Sequence, residues 1–240
     1  MKIAAVQIRP IAGDVDGNVE RHVELIEIAV REGANLVFFP ELSITGYEPA
    51  LAKSLATQMS NTDFDIFQKL SDMHCVTIGI GASLSAKDQV QIGMVWFQPK
   101  KPRTSYAKQL LHSDETSFFI PGDKQLILRL GDYRIAPAIC YESLQFSHSD
   151  KAVSIGANVY LASVAKPAGG VLKAMQHYPE TAKKHDMCIV MANCIGPCDN
   201  FTSVGNSAAW AANGELLALM KSASEGVLIY EIESDNAIVH

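Results

Sequence analysis

The chain has 240 residues, 48% of them hydrophobic and 19% charged, a balance that sustains a core without staples and excludes disorder as the dominant state. Lys and Arg number 20 against 26 Asp and Glu, a net charge of −6 with no basic run longer than Lys100-Lys101, which excludes a binder of nucleic-acid phosphates. The opening apolar run stops at Arg9-Pro10, too short for a secretory signal, no stretch approaches a membrane span, and five cysteines form an odd set, so no membrane or disulfide framework and a cytoplasmic location are expected.

Residues 3–7 read as a short buried strand. After the turn signals of residues 13–17, residues 18–32 read as a helix with Val19, Val23, Ile26 and Val30 on one face. Residues 36–39 are an apolar run ended by Pro40, which cannot continue a central ladder. Glu41 therefore stands just past the carboxyl end of a strand, where open α/β sheets place their sites. A second helix over residues 63–74 presents Phe64, Phe67, Leu70 and His74 at helical spacing and feeds a strand over 76–82. The reading then shifts to strands with short connections at 90–98, 104–109, 126–130 and 133–140, which suggests antiparallel pairing beside the parallel part. A helix after Cys140, a strand at 158–163, a helix at 170–185 and a strand at 188–193 follow, and Asn213-Gly214 signals a hairpin before residues 216–220. No repeat or linker interrupts the chain, so residues 1–240 are expected to form one α/β domain of two packed sheets with helices outside.

Three residues could carry chemistry together. Cys140 ends an apolar strand at a strand-to-helix turn, where a helix start lowers a thiol pKa and backbone N–H groups face a developing oxyanion. Glu41 holds the equivalent place after an earlier strand, and alternation puts Lys108 on one face with Tyr106. Alone, the cysteine reads as core packing, the carboxylate as solvated and the lysine as an edge residue. Together they are a nucleophile, a base and a cation, the set needed to attack an electrophilic carbon.

The segments FFPELSITGYEP from Phe38, YAKQLLHSDETSFFIPGD from Tyr106 and APAICYESLQF from Ala136 resemble the Glu, Lys and Cys motifs of the nitrilase superfamily, the carbon–nitrogen hydrolases, in the right order. MKIAAVQI at the start, and MANCIGP with SVGNSAAWAANGELLA near the end, extend the likeness over the whole chain. The resemblance implies a four-layer αββα sandwich, pairing into a homodimer or higher homo-oligomer, and hydrolysis or condensation at a non-peptide C–N bond through a cysteine acyl-enzyme with no cofactor. It also implies the roles: Glu41 as general base, Lys108 as cationic stabiliser, Cys140 as nucleophile and Glu115 as an orienting carboxylate. The backbone N–H of Tyr141 joins Lys108 as an oxyanion donor.

Other motifs compete weakly. Cys194-x-x-x-Cys198 has no second pair, so a zinc site is not expected. Gly79-x-Gly81 would need a third glycine at Leu84 to be a dinucleotide fingerprint. A papain-like set could recruit His177 or His185 and Asn193 to Cys140, without the local signature. The sequence departs from many relatives at Ser163, Val164, Ala165 and Lys166 after the strand at 158–162, and at residues 182–185, so the substrate of no one branch carries over. An amidase acting on a small carboxamide is expected, with Tyr47, Phe119, Ser163 and Lys166 as substrate-contacting residues. A nitrilase, an N-carbamoyl hydrolase and a catalytically silent binding protein on the same scaffold remain the alternatives. An activated Cys140 is expected to alkylate ahead of the other four cysteines.

Overall fold

In the computed structural model, which describes residues 1–58, 60–222 and 224–240, the apolar runs at the start of the chain become the parallel centre of a sheet. β1 (Lys2–Gln7) leads through α1 (Val15–Arg31) to β2 (Leu36–Phe38), and β2 through α2 (Asp65–His74) to β3 (Thr77–Ala86), with both pairings parallel. β3 turns back into β4 (Gln89–Phe97), which pairs with β5 (Thr104–Ala107). A second sheet follows from β6 (Leu128–Leu130) and β7 (Tyr133–Ile139), then α3 (Phe146–Ser154), β8 (Val159–Val164), α4 (Ala168–His185) and β9 (Cys188–Asn193). β7, β8 and β9 are its parallel centre. A ribbon of β10 (Ile195–Cys198) and β11 (Phe201–Val204) precedes β12 (Ala208–Trp210) and β13 (Leu216–Leu219). The chain then returns to the first sheet as β14 (Gly226–Glu231) and β15 (Asn236–Val239). Among the described residues the orders are β15-β14-β1-β2-β3-β4-β5 and β13-β12-β9-β8-β7-β6.

Strand alternation builds the layers. Ile3, Ala5, Leu36 and Phe38 meet Ile135, Ile139, Leu161 and Val190 in the core between the sheets. The opposite faces, Ala4, Val6 and Val37, pack on Leu25, Ile26 and Phe67, and Ala136, Tyr160 and Ala162 pack on Ala152, Ala174 and Tyr178. Central strands buried on both faces read as continuous apolar runs because neither side is left for polar residues. The result is the expected αββα sandwich, and each large side chain buried in it contributes roughly 1.5–3 kcal/mol. No described helix is long and apolar enough to cross a membrane.

Two expectations need correction. α1 does not turn the Val19–Val30 stripe fully inward: its buried residues are Asn18, His22, Leu25, Ile26 and Ala29. Polar side chains occupy the inner face because they hold loops. Asn18 Nδ2 donates to the carbonyls of Ile11 and Ile44, and His22 reaches Ser43. Directly after Cys140 the chain makes a 3-10 turn, Cys140–Leu144, before α3 begins at Phe146.

Candidate active site

Four strand ends converge, two from each sheet. The turn after β2 carries Glu41, Lys108 follows β5, Cys140 follows β7, and Ala165 and Lys166 follow β8. Each turn has a local reason. Gly81 on β3 lies beneath the Glu41 turn, where an added Cβ would stand 2.2 Å from the Pro40 carbonyl oxygen and 2.5 Å from the Leu42 nitrogen. The Gly79-x-Gly81 pair thus serves close packing, since Gly79 likewise makes room for the Trp96 ring. His22 supports the same turn. Its Nδ1 faces the Asn18 carbonyl oxygen at 2.6 Å and so carries the proton, leaving Nε2 to accept from the Ser43 hydroxyl at 2.9 Å. Burial pushes the His22 pKa down to about 3, so the ring is a neutral strut.

Lys108 is fully buried, and its ammonium donates to Glu41 Oε1 at 2.8 Å and to Glu115 Oε1 at 2.5 Å. Glu115 also accepts from the Tyr47 hydroxyl at 3.0 Å and from the His112 N–H at 2.7 Å. Burial alone would lower the Lys108 pKa, but Glu41, Cys140 and Glu115 more than offset it, so the ammonium stays charged. Glu41 is pushed the other way. Burial raises its pKa to about 7, opposed by Lys108 and assisted by Glu115. Its second oxygen, Oε2, is buried with no hydrogen-bond partner among the described residues. That atom is a free acceptor.

Cys140 sits at φ +46°, a left-handed conformation that a non-glycine residue adopts at an energetic cost and that recurs at functional turns. Its Sγ lies 3.6 Å from the Ala165 carbonyl oxygen and 3.8 Å from Lys166 Nζ. Burial first, then Glu41, pushes the thiol pKa up to about 11, while Lys166 and Lys108 pull it down. These mutual influences mark Glu41, Lys108 and Cys140 as one electrostatic unit. Tyr141 is the second residue of the 3-10 turn that Cys140 opens, where a first-turn N–H has no partner within the helix.

A cavity of about 590 Å³ opens onto Cys140, with Tyr47, Tyr141 and Lys166 in its wall. Phe119 and Ser163 are placed elsewhere. Phe119 is packed in the core between the sheets, and Ser163 is fully buried, donating to the Phe39 carbonyl at 2.8 Å. Ser163 therefore ties the two sheets together and is not a pocket wall. The papain-like set does not assemble either: His177 lines the same cavity but Cys140 Sγ contacts the Ala165 carbonyl and Lys166 instead, His185 faces Asp150 at 3.0 Å, and Asn193 binds the Lys166 backbone.

Glu142 was not singled out by sequence reasoning. Its buried carboxylate accepts from the N–H groups of Ile139 at 2.7 Å and Gln109 at 2.6 Å and from the Tyr106 hydroxyl at 2.6 Å. One side chain thereby pins the residue after Lys108 to the residue before Cys140. Its place two residues after a strand-end cysteine was the available signal.

A thiol, a free carboxylate oxygen and a buried ammonium at the carboxyl ends of strands from two packed sheets define an α/β-sandwich protein built for attack on carbon. The chain belongs to the carbon–nitrogen hydrolase family, whose model matches residues 2–238. It is 27% identical to a nitrilase of Pyrococcus abyssi over 97% of this chain and 90% of that protein. It is 24% identical to a glutamine-dependent NAD(+) synthetase of Thermotoga maritima over 98% of this chain, but it spans only 42% of that relative's length. A solved structure of a mutant amidase from Nesterenkonia sp. AN1, with acrylamide added to its active-site cysteine, has the same fold at a TM-score of 0.89. Its identity is 20%, over 98% of this chain and 94% of that one.

Proposed function

We propose that this chain is an amidase that hydrolyses the C–N bond of a small, non-peptide carboxamide to a carboxylic acid and ammonia through a thioester on Cys140. The observation that carries the reading is Glu41 Oε2, a buried acceptor with no partner among the described residues, beside Glu115 and Lys108. An amide NH2 offers donors to such carboxylates, and a nitrile nitrogen offers none.

The steps follow from the groups. Glu41 takes the Cys140 proton as sulfur bonds to the carbonyl carbon. The oxyanion meets the Lys108 ammonium and the Tyr141 N–H, each donor of this kind contributing about 3 kcal/mol. Glu41 returns the proton to the departing nitrogen, ammonia leaves, and Glu41 then draws a proton from the water that cleaves the thioester and passes it to the departing Cys140 sulfur. Glu115 keeps Lys108 and Tyr47 in place. No step calls for a metal or organic cofactor.

A nitrilase is the second reading, favoured by the Pyrococcus abyssi relative, which this chain matches over nearly its whole length. Matched amide and nitrile pairs decide between them. A kcat/KM higher for the amide supports the amidase, and one tenfold higher for the nitrile overturns it. Absence of turnover on amides, nitriles and carbamoyl compounds alike would make the chain a binding protein. We also propose that two copies pair through the face of α3 and α4, where Phe146 and Leu172 are exposed; a monomer in sedimentation would remove that part.

A further inference from the structure

The catalytic steps leave one buried charge unused. Lys166 is 3% exposed, and its ammonium has no carboxylate partner among the described residues; its hydrogen-bond contact is Cys140 Sγ. An unpaired ammonium is costly to bury, yet this one is held firmly. The Lys166 carbonyl accepts from Ser203 Oγ at 3.1 Å, Asn193 Nδ2 at 3.2 Å and the Val204 N–H at 3.2 Å, and the Lys166 N–H donates to Asn193 Oδ1 at 2.8 Å.

The thiol does not answer the charge. Burial keeps Cys140 protonated at neutral pH in the resting site, and in the thioester the sulfur is neutral. Lys108 differs, because Glu41 and Glu115 already hold it.

The same wall continues the positive character. α4 starts just after Lys166, and Pro167 at its N-cap offers no side-chain cap to the first-turn N–H groups. Gly170 lines the cavity, and a Cβ there would press on the Lys166 side chain at 3.2 Å. Lys173 and His177 lie further along the wall, and His177 Nε2 is buried without a partner among the described residues. The lining carboxylate, Asp114, faces His112 Nδ1 at 2.6 Å. Lys166 and Lys173 thus stand on one wall of the cavity, while Glu41 and Glu115 lie beneath it against Lys108. Tyr47, Phe201 and Leu144 supply its apolar surface.

We propose that Lys166, beside the open first turn of α4, seats a carboxylate carried on the acyl chain of the substrate, so that the preferred carboxamides are monoamides of short dicarboxylic acids. The proposal rests on the amidase reading and names its substrate class. Lys166 is then a specificity residue: Glu41 acts on its charge from a distance, and a directly bonded carboxylate arrives only with substrate.

The test compares succinamate with succinamide, its neutral isostere. Wild-type enzyme should favour succinamate in kcat/KM by tenfold or more. Lys166→Met should reduce that preference about 10- to 100-fold, the worth of one charge-assisted hydrogen bond, and Lys166→Arg should restore part of it. A wild-type ratio at or below one overturns the proposal while leaving the amidase intact. A parallel loss on both substrates in Lys166→Met also overturns it, because the lysine would then serve the thiolate alone. Calorimetric binding of the two compounds to Cys140→Ala reads the seat without turnover, so it stands or falls separately from the amidase reading; equal affinities would sink it.

Discussion

Alkylation of substrate-free enzyme tests how the nucleophile is made. With burial and Glu41 pushing the Cys140 pKa up to about 11, about one molecule in 10⁴ carries a thiolate at pH 7. The Glu41 pKa, raised mainly by burial to about 7, lies about four below it. Moving the proton from thiol to carboxylate thus costs at most about 5 kcal/mol, at about 1.4 kcal/mol for each pKa unit, because the transfer neutralises the Glu41 charge that helps to raise the thiol pKa. A barrier of about 16 kcal/mol, typical of ten turnovers per second, accommodates that cost. In the proposed mechanism the nucleophile is therefore formed during the reaction, contrary to the expectation of a cysteine activated at rest. The assay needs a Cys75→Ser background, because Cys75 is exposed and would take the reagent first, whereas Cys188, Cys194 and Cys198 are buried. Iodoacetamide should modify Cys140 about tenfold faster for each pH unit from 7 to 10, with no plateau. Meanwhile kcat/KM should rise through about pH 7 as Glu41 ionises to become the base. A plateau of alkylation at or below pH 8 would refute the reasoning.

Cys140→Ala and Cys140→Ser should abolish turnover with the fold retained by circular dichroism; residual hydrolysis in either excludes the thioester. Lys108→Ala should cost both rate and stability. It strands two buried carboxylates, about 3–5 kcal/mol in denaturant unfolding, and lowers kcat at least 10²-fold. Glu41→Gln should stop turnover yet stabilise the fold by about 1–3 kcal/mol above pH 7. A carboxyl whose folded pKa is raised to about 7 from its usual 4.5 weakens the fold as pH climbs through that window, so the gain should vanish below pH 4.5. Gly81→Ala should displace the Glu41 turn and lower kcat and melting temperature together; normal values for both would show that the turn yields freely.

What the sequence discloses and what it hides have different physical causes. The parallel strands were legible because burial on both faces makes them uninterrupted apolar runs, and Pro40 marks where one ends. The inner face of α1 was not, because Asn18 and His22 are buried by their hydrogen bonds to loops distant in sequence, and hydrophobic periodicity does not register that. The β10–β11 ribbon was hidden by Gly196 and Pro197, which argue against a strand. Nothing physical conceals β14: Val227–Tyr230 is an apolar, β-rich run legible as a strand. Of the expected pocket residues, Tyr47 and Lys166 line the cavity. Ser163 looks like a wall at a strand end, but its hydroxyl is spent on the facing sheet.

That last bond belongs to a wider pattern. Glu41 and Lys108 come from the first sheet and Cys140 and Lys166 from the second, so the distance between base and nucleophile is set by how the two sheets pack. Apolar side chains hold the layers together without fixing a register between them, because dispersion and burial are nearly indifferent to small sliding. Directional bonds supply the register. Ser163 joins β8 to Phe39 beside the Glu41 turn, and Glu142 joins the Cys140 turn to the Gln109 and Leu110 N–H groups beyond Lys108. Gln7 accepts from the Ser207 N–H where β1 ends and β12 begins. Two of these three lie within two residues of a member of the catalytic set. Glu142→Ala should then do more than unsettle the core. It leaves the buried Ile139 N–H and the buried Tyr106 hydroxyl without this acceptor, about 1–3 kcal/mol each before relaxation, and the part-buried Gln109 and Leu110 N–H groups at a smaller cost, and it frees the Lys108 and Cys140 turns to move apart. Stability should fall by about 3 kcal/mol, and kcat should fall further than in a Ser163→Ala variant destabilised to the same degree. Equal kcat in the two variants would mean that the carboxylate holds the core and not the geometry of the site.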